Sequence, residues 1–568
     1  MSAKRKRIAA CAVGGMCLFL LLAGALMIPE TNRAGVQTVK LSHEPGFYDE
    51  PFDLELSFDG GNIYYTLDST DPDENDTLYE GSIRIEDAST NPNVYANITD
   101  VSLEFSPDIL KHSKQKPRFG YQTPTVNLDK ATVVRAVGID ASGNRSDVVN
   151  AAYFVGFSEK TGYDRMGIIA ITTDPANLFD FERGIYVTGK TFADKLTDGY
   201  YKVTGTLFEG WPANYNRRGI QWEREANVRC YSPDRTVLFS GNCGIRIQGG
   251  VSRGMLPKSL NIFARKQYGD SVIQARPLFG VDWQLGSMNL TSGSESYRAR
   301  IHDCLVNTMI DNLNIDTRIY KPYELFLDGE YWGVYWLTPR YEKEYFQSKY
   351  GVEGDDVIFI KDGKVEIGEE SDAKYYTSMM SFICKNDMRD PELYAQACEM
   401  IDISSCIDYY AAEIYVRNWD WPQKNKGLWR TRKSNGGVYA DGRWRWVLYD
   451  VNVAMSSKNA EDEYIPKVKE GDKLFRSLMR NKSFSRAFYT KLADLAEEQF
   501  NPDRVETWIR DYEAWMLDAM ENEYERFYGG SLTGETFIAT CERIAGFYRN
   551  RSAFMLASYG NTRERAAE

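Results

Sequence analysis

The chain has 568 residues and a mass of 64.9 kDa, with 43% hydrophobic, 13% aromatic and 26% charged side chains, which excludes a single small module and a disordered chain. Lys and Arg number 68 against 81 Asp and Glu, a formal charge of −13, so no nucleic-acid partner held by counterion release is expected.

Lys4, Arg5, Lys6 and Arg7 precede an uncharged stretch from Ile8 to Ile28 that spans about 31 Å as a helix, long enough for a bilayer. The basic flank keeps Met1 in the cytoplasm and sends the body outside. Residues 1–30 are therefore expected to be a basic stub with a transmembrane anchor, because the apolar run continues past Ala25; Ala23-Gly24-Ala25 leaves a removed signal peptide and a secreted body as the alternative. From 36 to 157 the pattern is β. Ile63, Tyr65 and Leu67 alternate with polar neighbours, and Val133 to Ile139 ends in the turn cluster Asp140 to Asn144, which predicts a small sandwich. Asn62 to Gly81 and Val133 to Tyr153 resemble the chitobiase/hexosaminidase C-terminal-type repeat, an accessory module, with an insertion near 86 to 128. The acidic turn Asp71 to Asn75 lacks the glycine and glutamate of a calcium loop and reads as solvated.

A larger mixed α/β region covers 163–568. Gly244 to Gly250 and Lys258 to Phe263 predict one hairpin, and Asp328-Gly329 between two apolar runs predicts another. Ile301, Leu305 and Met309 predict a helix over 296–313 with His302 packed or at the surface. Ile407 to Tyr415 predicts a helix with Ser405 and Asp408 as a capping box. Trp444, Trp446 and Leu448 alternate as a strand that delivers Asp450, and the chain is helical from about 470, with Val505, Ile509, Tyr512 and Met516 on one face. The fold class is α+β, a mixed core with C-terminal helices behind a small β-sandwich.

With only three histidines, His43, His112 and His302, a multi-histidine zinc site is excluded and acid/base work falls to carboxylates. The nine cysteines form no CxxC pair; Cys230 and Cys243 flank a predicted turn and could cross-link. Phosphoryl transfer needs a cradle for phosphate oxygens and oxygen ligands for a divalent cation. Gly249, Gly250 and Ser252 in a turn, with Lys258 just beyond, offer the first, although an ordinary hairpin has the same residues. Asp420 and Asn425 follow the D-x-x-x-x-N spacing of a kinase catalytic loop, and Asp450 stands where a metal-binding carboxylate sits.

From about Gln221 to Gly560 the chain resembles the spore-coat protein H (CotH-type) family of atypical protein kinases. The carrying stretches are Gly244 to Asp270, Tyr323 to Leu337, Asn418 to Arg430 and Gly442 to Met455. The resemblance implies a kinase-like fold that uses ATP with Mg²⁺ or Mn²⁺ to phosphorylate Ser or Thr of surface or spore-coat proteins. By position it makes Lys258 a phosphate contact, Asp420 the catalytic carboxylate, and Asn425, Asp450 and Asn452 the metal ligands. Asn452 replaces a carboxylate of the family pattern, and Pro339 replaces a glutamate, so a partner for Lys258 would have to come from elsewhere, with Glu342 as one candidate. Both departures keep open a catalytically silent surface or adhesion protein, its β module a spacer or glycan contact.

Overall fold

The computed structural model describes residues 38–112, 117–199, 208–293, 296–455 and 460–562. The apolar run from Ile8 to Ile28 lies outside the described residues; among those described, no helix is long and apolar enough to cross a membrane.

Strands Gly46–Tyr48 (β1), Gly61–Thr66 (β2), Thr77–Leu78 (β3), Thr132–Asp140 (β4) and Val149–Val155 (β5) form one sheet in the order β1-β5-β4-β2-β3. The sequences of β4 and β5 are nearly continuous apolar runs, and the reason is that both faces are covered. Val134, Ala136, Ala151 and Tyr153 pack with Leu54, Leu56, Ile83 and Ile85 of two short strand pairs, whereas Val133, Ala152 and Phe154 face the rest of the molecule. The insertion between β3 and β4 lies against the body. The Glu330 carboxylate accepts the N–H groups of Val94 and Ala96, Gln122 donates its N–H to Phe527 O at 2.9 Å, and the Tyr121 hydroxyl accepts the Leu256 N–H at 2.9 Å.

The next seven strands close into a barrel: Gly167–Thr172 (β6), Arg224–Tyr231 (β7), Val237–Ile247 (β8), Leu260–Phe263 (β9), Ser287–Thr291 (β10), Lys321–Leu327 (β11) and Glu330–Pro339 (β12), in the order β6-β7-β8-β9-β10-β12-β11. The parallel pair β11–β6 completes the ring, with Gly167 opposite Tyr323. Ile245, Ile262, Met288, Leu290 and Leu337 are buried in its core. Both predicted hairpins form, β8 with β9 and β11 with β12; Asp328 and Gly329 take φ of 48° and 86°, the left-handed geometry of a two-residue turn. Cys230 and Cys243 remain free thiols, because the β7–β8 register sets Cys230 opposite Phe239 and Cys243 opposite Ala226.

Beyond the barrel, Val357–Lys361 (β13), Lys364–Ile367 (β14), Gly427–Thr431 (β15) and Arg445–Val447 (β16) make an antiparallel sheet in the order β14-β13-β15-β16. Helices His302–Met309 (α1), Ala373–Lys385 (α2), Ile403–Val416 (α3), Lys482–Glu497 (α4), Pro502–Tyr528 (α5) and Gly534–Tyr559 (α6) pack around it and the barrel. The architecture is thus α+β, with a β-rich N-terminal part and C-terminal helices. Helix α1 is shorter than 296–313, since Arg300 sits at φ 53° and turns its guanidinium inward to Glu523, 2.6 Å away with both side chains fully buried. Helix α3 begins earlier than its apolar stripe suggests. Asp402 is the cap, accepting the Ser405 N–H, while the Ser405 hydroxyl accepts the Trp446 N–H and Asp408 pairs with Lys491, so the Ser405/Asp408 capping box does not form. Helix α5 starts as its sequence predicts, with Asn501 as cap and Pro502 in the first turn.

Candidate functional site

The second sheet assembles the site through its register. Lys361 at the end of β13 pairs with Gly427 at the start of β15, and Gly427 pairs with Val447 at the end of β16. The antiparallel order therefore brings Lys361, the loop before Gly427 that holds Asp420 and Asn425, and the segment after Val447 that holds Asp450 to one end of the sheet. Four non-glycine residues there adopt the left-handed region, Asp362 at φ 50°, Arg417 at 52°, Asn425 at 61° and Asp450 at 59°, a concentration of backbone strain of the kind that functional sites hold in place with surrounding bonds. Asn418 supplies such bonds. Its amide donates to Glu413 Oε2 and to Asp450 O, each at 3.0 Å, tying the end of α3 to the Asp450 backbone. Glu413 is fully buried, and burial pushes its carboxyl up to about 8, so it stands there as the neutral acid at pH 7.

Asp450, Asp420, Asp303, Lys361, Arg318 and Tyr449 each keep part of their surface exposed. Burial raises the Asp450 carboxyl; Lys361 and Arg318 pull against this, and the charge of Asp420 adds to it. Asp303, projecting from α1, is raised by burial and by the charge of Asp450, and its carboxylate accepts the Val451 N–H at 2.9 Å. The Lys361 ammonium lies 3.8 Å from the centre of the Tyr449 ring and the Arg318 guanidinium 4.9 Å from it. Burial raises the Tyr449 hydroxyl, yet these two cations bring it below its ordinary value. Lys361, Arg318 and Asp303 are the members that the sequence reading missed. The signal available for Lys361 was its place at the end of the apolar run Val357 to Ile360, just before the Asp362-Gly363 turn.

The glycine turn and Lys258 stand apart from this group. Gly249 takes φ 115°, and a Cβ there would meet the Ser252 hydroxyl at 2.3 Å, so the turn requires glycine. Its carbonyl is occupied by Arg253 Nε at 2.9 Å and Arg218 Nη2 at 3.1 Å; Gly250 is exposed and Ser252 half-buried. Lys258 is fully enclosed. Its ammonium donates to Arg253 O at 2.7 Å and rests 3.8 Å from the centre of the Tyr215 ring, and burial, with Arg253 adding, pulls it well below the usual lysine range against Asp100 and Glu209. Charges that act on Lys258 are thus not those that act on Asp450. Nor does Glu342 pair with Lys258: its carboxylate accepts the N–H groups of Gly286 and Ser287 and the Ser287 hydroxyl. Pro339 lies opposite Met288 in the barrel wall.

Among the described residues no three His, Cys, Asp or Glu side chains converge as a metal cluster. The donor chemistry at the sheet end nevertheless fits a hard divalent cation that shares its coordination with phosphate and water. The charge of Asp420 raises Asp450 and that of Asp450 raises Asp303, Asn425 lies in the same loop end, and the Asn452 N–H favours the charged form of Asp450.

Comparison with known proteins matches two stretches of the chain. A family model described as Fn3 associated matches residues 52–153, and the chitobiase-type likeness gains no support. No curated protein matches. A family model described as CotH kinase protein matches residues 245–555, more than half of the chain and all of the elements from β9 to the greater part of α6, and the chain therefore belongs to the CotH kinase family.

Proposed function

We propose that this chain is an extracytoplasmic atypical protein kinase that moves the γ-phosphate of ATP to a Ser or Thr hydroxyl of a surface or spore-coat protein. The observation that carries the reading is the grouping of Asp450, Asp420 and Asp303 with Lys361 and Arg318 at one end of the second sheet. In it, Asp420 accepts the hydrogen bond of the acceptor hydroxyl and takes up its proton as the new phosphoester forms. Asp450 with Asn425, and Asn452 through its amide oxygen, hold Mg²⁺ or Mn²⁺, which when bound supplies charge that neutralises the phosphate oxygens. Lys361 and Arg318 are the cations nearest this ground and orient the phosphates. Gly249, Gly250 and Ser252 offer backbone and hydroxyl donors, and Lys258 reaches phosphate only by exchanging its bond to Arg253 O for it, which requires the turn to open. The N-terminal segment tethers the protein to a membrane or is removed, and the β module serves as a spacer or glycan contact.

The test is transfer of label from ATP to the full chain or an added surface-protein substrate in Mn²⁺. Transfer is expected to vanish in Asp450→Ala and to fall in Lys361→Ala; transfer unchanged in Asp450→Ala removes the assignment. One set of observations favours a second reading, a silent kinase-like scaffold: Asn452 has lost a charge, Pro339 offers none, and Lys258 is sealed in. Saturable thermal stabilisation by ATP with metal counts against that scaffold, and a well-folded protein that ATP leaves unmoved supports it.

A further inference from the structure

A cavity of about 200 Å³ lies between the loop that enters α1 and the middle of α6, lined by Ser296, Tyr297, Arg298, His302, Thr540 and Arg543. It is separate from the Asp450 group. Successive helical residues point about 100° apart, so His302 faces this cavity while Asp303 faces Val451.

The floor is a fixed pair. The Ser296 hydroxyl oxygen accepts the N–H groups of Ile301, at 3.2 Å, and His302, at 3.4 Å, and therefore donates its own proton to His302 Nδ1. With Nδ1 accepting, the ring hydrogen is on Nε2, a donor without a protein partner in a residue that lines the cavity. Both side chains are more than nine-tenths buried, at 4% and 8% exposure. Burial, with the charge of Arg543 adding, holds the imidazole down to about 4 and keeps it neutral. The rim is cationic. Arg298 and Arg543 are exposed, and neither has an ion-pair partner among the described residues, in a chain whose charge is −13. The Thr540 hydroxyl gives its proton to Thr536 O. Among the described residues that line the cavity there is no carboxylate.

Two guanidinium groups without an ion-pair partner among the described residues, that of Arg298 lying 5.3 Å from the centre of the Tyr297 ring, stand at a cavity with a buried imidazole, an arrangement that suits a tetrahedral oxyanion. We propose that the cavity binds a phosphate group, either as free inorganic phosphate or as the side chain of a phosphoserine or phosphothreonine. The same helix carries the consequence, because α1 holds His302 at the cavity and Asp303 on the Val451 N–H, so a phosphate seated at the start of α1 steadies the turn that presents Asp450. The binding site itself stands whether or not the chain transfers phosphate.

The full-length protein is titrated with inorganic phosphate, with a phosphoserine peptide and with its unphosphorylated form, by calorimetry and by thermal unfolding. Saturable binding and a rise in Tm are expected for the phosphorylated probes. In Arg298→Met with Arg543→Met, whose side chains are exposed and whose loss leaves the fold intact, affinity falls roughly ten-fold or more, the loss of two charge-assisted contacts. A phosphopeptide that binds tighter than inorganic phosphate identifies the phosphorylated side chain as the ligand, and equal affinity identifies free phosphate. Absence of saturable binding by either, or equal binding in the doubly substituted protein, overturns the proposal. His302→Leu supplies a second test, since it removes the ring N–H donor of the floor without touching the rim and is expected to weaken binding too.

Discussion

Glu324 on β11 is fully buried, both of its carboxyl oxygens lack a partner, and the neighbouring Tyr331 hydroxyl donates instead to Ala519 O. Burial raises it well above the usual carboxylate range against the pull of Arg235, with Asp129 and Asp164 adding to the rise. A folded-state pKa above the unfolded one means that the native protein binds the extra proton, so stability is full below the unfolded value near 4.3 and declines as pH rises toward the folded value. Glu324→Gln is therefore expected to raise Tm at pH 7 to 8 and to lose that advantage toward pH 4, which thermal unfolding across pH reads directly. The same scale shows what residue types alone reveal. Asp450 was legible because a strand with clear alternation ends beside it, and Asp420 with Asn425 because their spacing is local. Lys361 was legible only as a strand end before the Asp362-Gly363 turn, since its place beside Asp450 depends on pairing with Gly427. Lys258 was read from its neighbourhood as a contact for phosphate, but its burial is decided by Tyr186 and Tyr215, remote in sequence.

At the scale of elements, the hairpins and the start of α5 were legible, and the starts of α1 and α3 were not. The Asp328-Gly329 and Gly249-Gly250 turns carry their own geometry in adjacent residues. The start of α3 was placed too late because Ser405 and Asp408 have capping-box spacing, while the side chain that does the capping is Asp402, one residue before the helix. Asp402 also pairs with Arg445 at 3.3 Å and accepts the Asn314 amide at 3.1 Å, so it joins the cap of α3 to β16. Asp402→Ala is expected to lower stability by about 1 kcal/mol or more through the lost cap. Urea unfolding checks this, and Asp402→Asn, which keeps a capping oxygen, is expected to recover most of the difference.

For the whole molecule, composition separated a β module from a mixed body, but it could not show that the two share a core. Val133, Ala152, Phe154 and Phe157 pack with Ile168, Ala170, Phe326 and Tyr331 of the barrel in one buried cluster, with Phe154 and Phe326 ring centres 5.0 Å apart. Burying such rings stabilises by roughly 1.5 to 3 kcal/mol each, so removing residues 38–157 leaves several of them in water. The expected outcome is aggregation or loss of soluble body on deletion of the module, and a single calorimetric transition for module and barrel in the intact chain. Two well-separated transitions would refute the shared core. Long-range packing of this kind leaves no periodic trace in either segment, which is why sequence reading stops at the boundary.

The parallel pair of β6 with β11 also imposes an order in time. In a chain made from its N-terminus, β6 is complete long before β11 exists, and until then one edge of the first barrel strand has only water for its amide groups. The ring cannot shut before β12 has followed, so a polypeptide threaded through a narrow channel finishes its barrel only after residue 339 has cleared the exit. Synthesis and folding of this protein are thereby coupled by topology alone.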